Sequence, residues 1–198
     1  MDRFYICLLI ALFSIPVMAS GGETGSITGK VEAKPSRFGE NSVVYIKSVE
    51  SEFSVPDKIV MDQKELAFVP QVLPVVEGTT VDFQNSDDVL HNVFTPDKCA
   101  DRFNLGSWPK GEVRSYTFDK AGCVPVVLCN VHPEMEAFIV VLQNPYYAVA
   151  DKDGRFTIDK VPPGTYTLNV WNKRLRAESQ EVTVTGGNSV EVTFTLKR

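Results

Sequence analysis

The sequence predicts an all-β protein built as two sandwiches, and three observations carry that reading. Beyond the first nineteen residues no segment keeps a 3.6-residue apolar period; short β-branched and aromatic runs alternate with turn residues instead. The joins have turn chemistry, as in Glu77-Gly78, Asp153-Gly154, Pro162-Pro163-Gly164 and Gly186-Gly187-Asn188. The 198 residues are 43% hydrophobic and 23% charged, which suits a packed chain and excludes a disordered or collagen-like one.

Taken in order, residues 4–13 are an apolar run behind the weakly charged start Met1-Asp2-Arg3, too short to span a membrane as a stable helix. Small residues follow up to Ala19, so 1–19 reads as a secretory signal peptide cleaved after Ala19, against the alternatives of an uncleaved anchor or a buried helix. Cys7 lies inside the apolar run and not behind a lipoprotein-type box. Strands are expected at 26–31, 42–46, 58–61, 66–76, 79–83, 113–118, 124–129 and 137–142, then at 147–150, 155–158, 165–171, 181–185 and 190–196. In the last of these Val190, Val192, Phe194 and Leu196 share one face and Glu191, Thr193 and Thr195 the other. Pro125 inside 124–129 requires an edge strand or a bulge there. The expected organisation is N-terminal strands at 20–56, one sandwich at 57–143 and a second, smaller one at 144–198, with the boundary near Asn144-Pro145. Asp151-Lys152-Asp153-Gly154 lacks the third acidic position and terminal glutamate of a calcium loop and reads as a hairpin turn.

Charge and cysteine count narrow the function. Twenty basic against 25 acidic residues give −5, with no basic cluster for nucleic acid. Removing 1–19 leaves Cys99, Cys123 and Cys129; in an oxidising compartment three thiols suggest one disulfide and one thiol kept for chemistry.

The chemistry is concentrated in Leu128-Cys129-Asn130-Val131-His132-Pro133-Glu134-Met135, a C-x2-H-x2-M array, with His91 far upstream. These residues include both histidines of the chain, and composition alone predicts on the order of 0.001 matches to the spacing. Two imidazoles, a thiolate and a thioether form the soft His2Cys-plus-Met donor set of mononuclear electron-transfer copper. Structural zinc needs four firm ligands and gains little from a thioether. A Cys–His nucleophile pair would need an orienting group and an oxyanion hole, and Met135 has no role in it. Taken singly, Cys129 as a buried thiol and Met135 as core filling are the ordinary readings.

With these residues in view, 58–142 resembles the cupredoxins, the blue-copper sandwiches of the plastocyanin and amicyanin type, which are Greek-key folds. The resemblance rests on Phe68-Val69-Pro70, the segment from Val75 to Val81, Asn85, His91-Asn92-Val93-Phe94, Phe118, Gly122 and the array Cys129-His132-Met135, whose Cys-x2-His-Pro-x-Met spacing looks most like amicyanin. It implies that His91, Cys129 and His132 bind copper in a plane with Met135 axial. It also implies that Asn92 locks the two ligand loops by hydrogen bonding. Cys99, Cys123, Glu134 and Glu136 depart from the usual pattern, as does the whole region after 143. A Cys99–Cys123 disulfide, closing a loop of about 25 residues and worth roughly 3 kcal/mol, is the expectation for the extra cysteines, two free thiols being the alternative.

The region from Ala148 to Tyr166 resembles the carboxypeptidase-regulatory-like (transthyretin-like) sandwich, without the opening Gly-x-Val strand. Ile27-Thr28-Gly29-Lys30-Val31 and Val43-Val44-Tyr45-Ile46 would supply that opening, which makes the copper sandwich an insertion into the second one. The rival arrangement has 26–50 padding the cupredoxin sheet. The whole is similar to exported methylamine-utilisation-type proteins. The expected function is therefore a periplasmic or secreted, non-enzymatic carrier of single electrons on copper. Its expected partner is a basic-faced redox protein such as a cytochrome or dehydrogenase, with neither nucleic acid nor a membrane span after signal removal. Copper handling without electron transfer, and a structural envelope module, are the alternatives.

Overall fold

The structure is a computed structural model that describes residues 23–51, 53–56 and 58–198; the expected signal peptide, with Cys7, lies outside them. Among the described residues the fold is all-β, with sixteen strands in four sheets and two single 3-10 turns. Among the described residues no helix is long and apolar enough to cross a membrane.

Two strands from the N-terminal region, β1 (Gly25–Glu32) and β2 (Val43–Ile46), are followed by β3 (Ile59–Lys64), β4 (Ala67–Val69), β5 (Val72–Val76), β6 (Thr79–Asn85) and β7 (His91–Phe94). Next come β8 (Asn104–Trp108), β9 (Val113–Phe118), β10 (Val126–Leu128) and β11 (Glu136–Leu142). The chain ends with β12 (Tyr147–Val149), β13 (Arg155–Val161), β14 (Gly164–Trp171), β15 (Gln180–Val184) and β16 (Ser189–Thr195).

One pair of sheets, β5-β11-β10-β7-β8 and β4-β3-β6-β9, encloses a core that includes Met61, Phe83, Trp108, Phe118 and Ile139. Neighbours in these sheets are mostly distant in sequence, and β3 with β6 and β5 with β11 pair in parallel. In the other pair, β13-β1-β16 faces β12-β2-β14-β15 around Ile27, Val44, Ile46, Leu168 and Phe194. β1 runs parallel to β16 and antiparallel to β13, while β2 lies between β12 and β14. The early strands thus pair with late ones and not with cupredoxin-like strands. Gly29 permits the close β1–β16 approach, since a Cβ there would lie 1.8 Å from the Val192 carbonyl oxygen.

Alternation holds where one face meets water, as in β6, whose alternate residues are buried. It fails in β5, where all five residues are buried, and in the second half of β11. There the outer face is covered too: Val72, Val140 and Leu142 pack with Val43 between the two pairs of sheets, flanked by Tyr45, Tyr147 and Trp171. Pro74 is tolerated because β5 is an edge strand.

Three expectations need correction. The strand at 66–76 is two strands in different sheets, because the chain crosses between sheets at Pro70 and Gln71. The strand at 124–129 starts only at Val126, so Pro125 interrupts no ladder and β10 sits inside its sheet. Strands β7 and β8 lie outside the expected set; β8 is largely exposed and contains Gly106 at φ 76°, so it has neither alternation nor β-branched residues to announce it.

Cys99 and Cys123 form a disulfide with Cα atoms 5.7 Å apart, leaving Cys129 as the free, buried thiol among the described residues. Unfolded without reductant, the chain lacking residues 1–19 is expected to titrate one thiol, and three after reduction. Replacing both Cys99 and Cys123 by Ala is expected to lower the unfolding free energy by about 3 kcal/mol in urea titration.

Candidate metal centre

Three elements deliver donors to one point. Cys129 directly follows β10, His132 and Met135 lie on the connection to β11, and His91 opens β7. β7 pairs with β10 through Phe94 and Leu128, which brings His91 alongside the thiol. Cys129 Sγ is 3.9 Å from His91 Nδ1 and 3.9 Å from His132 Nδ1, and the two ring nitrogens are 3.1 Å apart. The circumcentre of that triangle is about 2.1 Å from each atom, within the range of metal–imidazole and metal–thiolate bonds, roughly 2.0–2.3 Å. His91 and Cys129 are buried and His132 is half-buried, so a metal ion held here would reach solvent through the His132 edge. Met135 is buried in the same core, and its N–H donates to the His132 carbonyl at 3.0 Å, which folds the connection back on itself.

The nitrogen of His91 that faces away from the triangle is fixed by Asp87. Nε2 lies 2.8 Å from Asp87 Oδ2, and the backbone N–H groups of Glu65 and Leu66 donate to the same carboxylate at 2.7 and 3.0 Å. Burial by itself would raise the Asp87 pKa; the Leu66 N–H, the His91 ring and the Glu65 N–H outweigh it and hold the carboxyl below its ordinary value. An ionised carboxylate only accepts, so Nε2 carries the proton and the Nδ1 lone pair is left for the triangle. Glu65 and Leu66 form the β3–β4 turn at φ 56° and 58°, a left-handed conformation unusual for residues with side chains. Bonding of both their N–H groups to Asp87 stabilises that turn.

Asn92 ties the two donor segments together. Its backbone N–H donates to Cys129 Sγ at 3.4 Å, its Oδ1 accepts from the Asn130 N–H at 3.3 Å, and its amide nitrogen donates to Gly106 O and Asn104 Oδ1 on β8. Asn85 does the same for the approach to His91, donating to the carbonyls of Val89 and Trp108 and accepting from the Asp87 N–H. Of the residues singled out in the sequence, His91, Cys129 and His132 converge, Met135 lies on the connection that carries His132, Asn92 follows His91 in β7, and Cys99 and Cys123 form the disulfide instead. Sequence reasoning missed Asp87; its only signal is a carboxylate four residues before a histidine in a chain with two.

Comparison with known proteins bears on the two halves separately. The family model described as Polysaccharide lyase family 4, domain II, matches residues 135–192, a stretch that begins in the metal loop and runs through most of the second sandwich. That description does not confirm the carboxypeptidase-regulatory-like resemblance. No curated protein matches the chain. Among solved structures, the copper-containing nitrite reductase NirK from Thermus scotoductus SA-01 is 27% identical, covering 50% of this chain and 25% of its own, with a TM-score of 0.42. The chain thus spans a quarter of that enzyme's length. A reduced amicyanin mutant is 28% identical over 50% of this chain and 97% of its own, with a TM-score of 0.41. A purple cupredoxin from Nitrosopumilus maritimus is 24% identical over 43% of this chain and 99% of its own, with a TM-score of 0.37. The case for a metal centre rests on its own donors.

If Asp87 orients His91, Asp87→Asn is expected to weaken copper binding about 10- to 100-fold in equilibrium titration while circular dichroism stays that of a folded β protein. An unchanged affinity would remove Asp87 from the centre.

Proposed function

We propose that the protein is an exported mononuclear copper protein that carries single electrons between redox partners. The observation that supports this best is the convergence of a buried thiol and two imidazole nitrogens on one point, with Met135 buried on the same loop. Thiolate, imidazole and thioether suit copper better than zinc, calcium or magnesium. In this reading His91, Cys129 and His132 hold the ion and Met135 is its weak fourth ligand. The second unit is formed by 20–56 with 144–198, around an inserted 57–143, and residues 1–19 are the export signal. When bound, copper supplies reversible exchange of one electron.

The rest follows from the chain. Asn92, Asn85 and Asp87 fix the donors by hydrogen bonds that do not involve the metal, so the donor positions need little rearrangement between oxidation states. Cys129, buried and accepting one N–H bond, would supply the thiolate. His132 lies between Val131, which is 47% exposed, and exposed Pro133, so its ring edge is where a partner can approach. Residues 57–143 carry thirteen acidic and seven basic side chains, which favours a basic-faced protein partner and a rate that falls with salt.

One equivalent of Cu(II) is expected to give an intense visible thiolate-to-copper band that ascorbate bleaches and ferricyanide restores. Carriage of Cu(I) alone predicts stoichiometric binding without a band, and a structural module predicts no stoichiometric binding. Cys129→Ser should abolish the band and leave the fold intact; a surviving band would exclude Cys129 as the ligand.

A further inference from the structure

We infer that the second sandwich acts on the metal loop: Trp171, the last residue of β14, and Lys173, two residues beyond it, brace the start of β11 and so set the position of Met135. This rests on the copper reading above and adds a role for the region outside the cupredoxin-like half. The contact is specific. Lys173 Nζ pairs with Glu136 Oε2 and also lies 5.1 Å from the centre of the Phe138 ring. The Trp171 ring lies 5.3 Å from that same ring at 50°. Glu136 and Phe138 are alternate residues of β11, so they project from one face while Ala137 between them points into the core.

The bracing segment is itself held. Asn172 is buried; its amide nitrogen donates to Phe38 O at 2.8 Å and Ser42 Oγ at 2.9 Å, and its Oδ1 accepts from the N–H groups of Arg174 and Leu175. Those bonds anchor Lys173 to the second sandwich from within it. At the other end, Glu136 follows Met135 directly and stands opposite Leu128, the residue before Cys129. The brace therefore meets the backbone one residue from two of the four donors. A half-exposed ion pair alone holds little, yet here the lysine and the indole both act on Phe138, two residues further along the same strand. A thioether would be the weakest donor of the set, so copper would do little to position it and the backbone that carries Met135 would do more.

The test uses the full mature chain. In the copper-loaded protein, Lys173→Ala and Trp171→Ala are each expected to change the Cu(I)/Cu(II) ratio at a fixed ambient potential at least threefold and to alter the relative intensities of the visible bands, with Lys173→Arg restoring both. Arg155→Ala, which removes the exposed Arg155–Asp153 pair in the second sandwich, should change neither. In the metal-free protein, amide exchange at Met135 and Glu136 should quicken at least threefold in Lys173→Ala. Lys173 is a surface residue, so this variant carries the test should Trp171→Ala fail to fold. A wild-type band with an unchanged ratio in Lys173→Ala overturns the brace and leaves the copper reading standing. A wild-type protein without the band overturns both.

Discussion

The structure depends on β11 being covered on both faces. Its inner face supplies Ala137, Ile139 and Val141 to the core beneath the metal site, and its outer face sets Val140 and Leu142 against Val43 and Val72. These four junction residues are at most 6% exposed. At roughly 1.5–3 kcal/mol for each fully buried aliphatic side chain, they outweigh any exposed ion pair, whose worth is about 0–1 kcal/mol. Apolar burial therefore joins the two sandwiches, and the polar contacts at the junction add direction to it. The same strand begins at the metal loop. A single segment thus ties the chemistry, the core and the second sandwich together.

The site is rigid for a different reason. Taking His91, Asn92 and Asn85 out of water is unfavourable unless each finds partners, and each does: Asp87, the Asn130 and Asp87 N–H groups, and the carbonyls of Gly106, Val89 and Trp108. The Asn92 bonds to Asn130 and Gly106 and the Asn85 bond to Trp108 cross between segments, while the bonds of Asp87 and Val89 fix the β6–β7 connection that leads to His91. A shift of one donor segment would leave a buried polar group without a partner, at a cost of about 1–3 kcal/mol. The bonds that make the fold tolerable also keep the donors converged.

Much of this is legible in the sequence, and the rest is hidden for identifiable reasons. The array Cys129-His132-Met135 is local, so its spacing is visible; His91 is legible because only two histidines exist. Strands such as β6 and β16, with one face in water, show their alternation. The junction is marked in another way, by Val72-Leu73-Pro74-Val75-Val76 and by the run from Ile139 to Leu142, where continuous apolar residues signal burial on both faces. β8 is illegible because it is largely exposed, and its pairing with β7 runs through Asn92, which bonds Asn104 and Gly106, and through the register shift between Asn92 and Phe94. Asp87 is illegible because its partners are backbone N–H groups of a turn about twenty residues upstream. Lys173 and Glu136 look like any surface charges until β14 and β11 are placed side by side.

The pairing of β1 and β2 with β12 to β16, while the strands between them form the other two sheets, also constrains motion. The chain passes between the two pairs of sheets twice, after β2 and after β11, and the two passages are stitched together. Gln143 accepts from the Val49 N–H and donates to the Val49 carbonyl, at 3.0 and 3.1 Å, while Asn144 donates to the Ile46 carbonyl at 2.9 Å. Two sandwiches joined by one linker would move independently by default. Two adjacent crossings bonded to each other, beside an apolar contact, oppose both bending and twisting at the junction. Among the described residues these bonds hold the second pair of sheets against β11, the strand that begins directly after Met135.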